Sequence, residues 1–95
     1  MLIEESVEGR LAGHVVELNR IDNLLLAAGK TGTPLPSSTV LFTALSDAMI
    51  ETADVVDSYH KRAIPDDVRI GLFRLNCAAT DLVASLKHYV SLKVR

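Results

Sequence analysis

Along most of this chain apolar residues return at steps of three and four, the spacing that draws a stripe down one side of an α-helix. In the first third the stripe is Ile3, Val7, Leu11, His14, Leu18, Ile21, Leu25 and Ala28. In the second it is Leu41, Leu45, Ala48, Thr52, Val55 and Tyr59, widened by Phe42, Met49, Ala53 and Val56. In the third, Val68, Leu72, Leu75, Ala79, Leu82, Leu86 and Tyr89 alternate steps of four and three, the heptad seam of bundles and coiled coils. No strand-like alternation of useful length interrupts them. Two stretches break the periodicity: GKTGTPLPSS, rich in glycine, proline and hydroxyl residues, and the shorter AIPDD. The pattern predicts a single all-α domain over 1–95, a bundle of three long helices at about 3–28, 38–62 and 65–93, with a linker at 29–37.

The ends of these segments carry helix signals. Glu4, Glu5 and Glu8 crowd the start of the first, where carboxylates complement the positive end of the helix dipole, and Gly29 is the expected stop. Ser37 or Ser38 can cap the second, and Pro65 with Asp66 and Asp67 opens the third. Gly9 and Gly13 weaken the first helix by up to ~1 kcal/mol each relative to alanine, or else let another helix come close.

The third segment has a second, weaker apolar stripe opposite the seam: Ile70, Phe73, Cys77, Thr80 and Ala84. A helix apolar on two faces is central in a bundle or buried against another chain. A lone three-helix bundle has no central helix, so homo-oligomerisation, most simply a dimer, is expected to complete it. Ile70, Phe73, Cys77 and Ala84 are the candidate interaction surface, for self-association or for another protein.

Composition supports this picture and narrows it. Nearly half of the residues, 48%, are apolar and only 4% aromatic, which suits interdigitating aliphatic helices. Twelve acids against ten bases give a net charge of −2, no footprint for nucleic acid or an anionic membrane. Charge is uneven: residues 64–95 carry three acids and five bases, whereas 1–33 carry five and three, and 34–63 four and two. Such segments attract one another weakly. A single cysteine, Cys77, excludes an internal disulfide framework and fits a reducing, cytoplasmic location. The longest apolar run, Leu24–Ala28, is far short of the ~20 residues of a membrane span.

Candidate chemistry is sparse. Gly29-Lys30-Thr31 resembles the end of a phosphate-binding loop, but that loop needs a glycine where Leu24 stands, and a strand before it rather than a helix. His14 lies in the first apolar stripe with Asp22 two turns on, a candidate polar pair at a helix interface whose protonation would make that interface pH-sensitive. The lone thiol of Cys77 has no Cys-x-x-Cys partner and reads as a packed side chain. Lys87, His88, Lys93 and Arg95 suit a helix C-terminus.

EESVE at 4–8 and ETAD at 51–54 fit the patterns E-E-x-x-E and E-x-x-D. They resemble the paired motifs of the all-α MazG-type nucleotide pyrophosphohydrolases. The resemblance implies Mg²⁺ held by Glu5, Glu8, Glu51 and Asp54, and cleavage of a nucleoside triphosphate to monophosphate and pyrophosphate. Two functions therefore stand as expectations. The first is a small non-enzymatic, homodimeric interaction or regulatory protein with an unidentified protein partner and no cofactor; the second is that hydrolase.

Overall fold

The structure, a computed structural model, describes residues 6–32 and 34–94. It contains three helices, α1 (Val7–Thr31), α2 (Ser38–Ser58) and α3 (Asp66–Val94), and among the described residues no strand.

Each boundary has a local cause. At the start of α1 the Ser6 side chain accepts a hydrogen bond from the Gly9 amide at 3.0 Å, so the helix begins at Val7 rather than near residue 3. Glu8 lies in its first turn, while Glu4 and Glu5 fall outside the described residues. The expected stop at Gly29 is passed. The helix continues to Thr31 and ends at Gly32, whose φ of 72° supplies the left-handed turn and whose N–H reaches Ala28 O at 3.2 Å. Gly29 instead sits inside the helix beside Tyr89 of α3.

α2 is capped by Ser37, whose hydroxyl accepts from the Val40 amide at 3.1 Å. It stops at Ser58, four residues earlier than the pattern suggests, because Arg62 turns back on it. One Arg62 nitrogen donates to Ser58 O at 2.6 Å, the guanidinium lies 5.5 Å from the Tyr59 ring centre, and Lys61 between them has a φ of 63°. The side chain thus takes up a carbonyl that the ended helix leaves free. Pro65 stands just before α3, and its carbonyl accepts the Arg69 amide at 2.9 Å.

The helices run up, down, up. Leu11 packs on Gly71 and Tyr89 on Gly29, the same offset of sixty residues at both ends, so α1 and α3 are parallel. Gly71 makes this approach possible: a methyl group there would lie 3.0 Å from Leu11 Cδ1. Arg10 near the start of α1 meets Glu51 in the second half of α2 at 2.8 Å, so α1 and α2 are antiparallel. The core is aliphatic, with Leu11, Leu18, Ile21 and Leu25 from α1, Leu41, Ala48 and Val55 from α2, and Val68, Leu75, Ala78 and Leu82 from α3. These fall on the three expected stripes, apart from Ala78.

The packing is lopsided. α1 rests broadly on α3 and less so on α2, while α2 and α3 barely touch. The helix that meets both others is therefore α1, and the double-faced α3 takes a flank. The molecule measures 49 × 31 × 20 Å with a radius of gyration of 15.4 Å, against about 12 Å for a compact domain of this length.

Candidate interaction surface

The second stripe of α3 points away from the bundle. Phe73 is 67% exposed, Ile70 51%, Ala84 is exposed and Cys77 half-buried. Thr80 beside them is exposed too. These residues form a surface in the single chain, on the side of α3 opposite Leu75 and Leu82.

A second apolar surface was present in the sequence only as the widening of the α2 stripe. Phe42 is 74% exposed and Met49 72%, with Val56 half-exposed two turns further on. Their step of seven keeps them in line along the helix. Met49 and Val56, with Thr52 and Ala53, form one wall of an open groove of about 410 Å³; Leu75, Asn76 and Ala79 of α3 form the other. The groove exists because α2 and α3 diverge there. A different groove, between the starts of α1 and α3, is lined by Val16 and Ile70 together with Glu8, Asp67 and Arg74.

His14 and Asp22 are both half-buried, but eight helical residues set them about 12 Å apart along the axis and about 80° apart around it, too far for a hydrogen bond. Asp22 falls on the line that Leu11 and Gly29 use against α3. Its Oδ1 is shielded from solvent and has no hydrogen-bond partner. His14 lies nearer the α2 side.

The acids of the two E-rich motifs go to different places. Glu51 accepts the Arg10 hydrogen bond across α1 and α2, Glu8 lines the α1–α3 groove, Asp54 is exposed on α2, and Glu5 is outside the described residues. Among the described residues, no three His, Cys, Asp or Glu side chains gather where they could share a metal ion. Further along α1, Arg20 donates two hydrogen bonds to Glu17, at 2.6 and 3.1 Å, and these hold the Glu17 carboxyl below the ordinary carboxylate range. Arg69 makes a similar local pair with Asp66.

Compared with known proteins, the chain matches no family model, no curated protein and no solved structure. No described helix is long and apolar enough to cross a membrane.

Proposed function

We propose that this protein is a small non-enzymatic interaction or regulatory protein that works as a homodimer and offers an apolar helical face to a protein partner. The observation that carries the reading is surface in excess. The chain exposes 6893 Å², whereas a compact monomer of its 10.3 kDa exposes about 5,400 Å² by the usual scaling. The difference, roughly 1,500 Å², is more than the ~800 Å² that each partner of a stable complex removes from water. Large apolar side chains on α2 and α3 make up part of that surface, and patches of this kind mark association sites. The outer stripe of α3, with Ile70, Phe73, Cys77 and Ala84, is the surface on which a partner's apolar helix would lie. The reading includes a cytoplasmic location, for which the single cysteine is the support.

A thermal melt at two protein concentrations, each with and without Mg²⁺ plus nucleoside triphosphates, tests the proposal. A ligand or partner that binds only the folded state raises the midpoint. The expected outcome is a midpoint that climbs with protein concentration and ignores metal and nucleotide. A midpoint independent of concentration overturns the homodimer. One that rises with Mg²⁺ and nucleotide transfers the assignment to a hydrolase using Glu5, Glu8, Glu51 and Asp54.

A further inference from the structure

The homodimer reading leaves open which face each copy uses, and the inference here rests on that reading. Three helices occupy three corners of a four-helix bundle: α1 packs on both neighbours, and the missing corner is the groove between α2 and α3. Met49 and Val56 line its α2 edge, and the exposed Phe42 continues their row beyond it, seven residues before Met49. We infer that this side is closed by the same side of a second copy, with the two α2 helices antiparallel and Met49 meeting its own counterpart on the two-fold axis.

Three features favour a second copy of this chain as the occupant. The first is register. A two-fold axis through Met49 sets Phe42 of each copy beside Val56 of the other, so every large apolar residue of the row meets another, as an isologous contact requires. The second is charge. The residues that flank the row on α2 are Ser38, Leu45, Ser46, Thr52 and Ala53, and those that line the groove from α3 are Leu75, Asn76 and Ala79, none of them charged. Asp47, Glu51 and Asp54 of α2 lie off this face and Asp57 borders it only at its end, so the centre of the contact carries no like charges. Charge-depleted centres are the mark of homodimer interfaces, whereas charge-steered encounters use charged rims.

The third feature is area. The exposed parts of Phe42, Met49 and Val56 amount to roughly 350 Å² per copy, a little under half of the ~800 Å² that a stable interface removes per partner. The walls of the groove supply more. Antiparallel α2 helices also oppose their dipoles favourably.

Cysteine cross-linking reads the register directly. In a Cys77→Ser background, Met49→Cys places one thiol on the proposed axis, within the ~4.4–6.8 Å between Cα atoms that a disulfide spans. Mild oxidation is expected to give a covalent dimer from Met49→Cys alone. Phe42→Cys is expected to cross-link only when mixed with Val56→Cys, which makes Phe42→Cys by itself the control for random collision. In parallel, Met49→Asp is expected to weaken dimerisation by at least about a hundredfold, since it buries unpaired charge. Because Met49 is exposed within one chain, the helical content of that variant should stay unchanged by circular dichroism. A dimer that forms in solution, survives Met49→Asp and yields no Met49→Cys cross-link overturns this interface while leaving the homodimer standing. A wild-type chain that sediments as a monomer at hundreds of micromolar overturns both.

Discussion

Asp22 is the residue whose surroundings fit it least. It is half-buried on the α3 side of α1, with one carboxylate oxygen shielded and without a hydrogen-bond partner, beside a core built of aliphatic side chains. An unsatisfied shielded acceptor costs about 1–3 kcal/mol, and aspartate is also a weaker helix former than leucine. Asp22→Leu is therefore expected to raise stability by ~1 kcal/mol, while Asp22→Asn, still polar and still unmatched, gains little. Chemical denaturation of the two variants beside the wild type checks this. Equal stability in all three would mean that the carboxylate is solvated well enough to cost nothing. The sequence marks Asp22 as a polar residue near an apolar stripe, but it cannot show that the partner suggested for it, His14, lies about 12 Å away along the helix. Periodicity assigns a face; the remaining 80° of rotation between two positions decides which neighbour each one meets.

Among the helices, large apolar residues advertise themselves and small ones do not. The seam of α3 was legible from Val68, Leu75 and Leu82, which are all buried. Yet at Gly71 α3 lies so near Leu11 of α1 that even a Cβ would be crowded, and Ala78 is as much a core residue as its larger neighbours. Gly9 and Gly13 looked like the places for a close approach, but a Cβ at Gly13 would meet nothing within 4 Å. The two glycines should therefore respond oppositely to alanine. Gly13→Ala gains helix propensity without a clash and is expected to add about 0.5–1 kcal/mol. Gly71→Ala gains the same propensity but presses a methyl against the wholly buried Leu11. Overpacking of this kind costs about 1–3 kcal/mol, so a net loss is expected. Melting temperatures of both variants give the comparison, at about 4–8 °C per kcal/mol for a chain of this size. A Gly71→Ala protein as stable as Gly13→Ala would show that Leu11 can move aside. The helix stops were harder to read for a similar reason. Gly29 and Gly32 are equally able to take a left-handed turn, and the pattern does not distinguish them; the chain turns at Gly32, while Gly29 stays helical beside Tyr89.

For the whole molecule, the uneven packing of the three helices implies an order of opening. α2 is held to α1 through Leu41, Ala48, Val55 and the Arg10–Glu51 pair, and is scarcely supported by α3. α1 and α3 share the more extensive contact. Segments with few packed neighbours open locally at a lower free energy than the global transition, so α2 is the helix that leaves first. The sequence alone could not give this order, because all three segments carry apolar stripes of similar length and nothing in a stripe says how much of it is covered. If a second copy closes the α2–α3 side, it supports the helix that the single chain supports least. Amide hydrogen exchange followed at low and high protein concentration separates the cases. Amides of 42–58 are expected to exchange fastest of the three helices in dilute solution and to slow as concentration rises, because association stabilises only the closed form. Amides around Leu18 and Leu82 are expected to remain protected until global unfolding at either concentration. If protection across α2 already equals that of α1 and α3 in dilute solution, α2 is held by the single chain alone, and the open side of the bundle is a surface free for another protein.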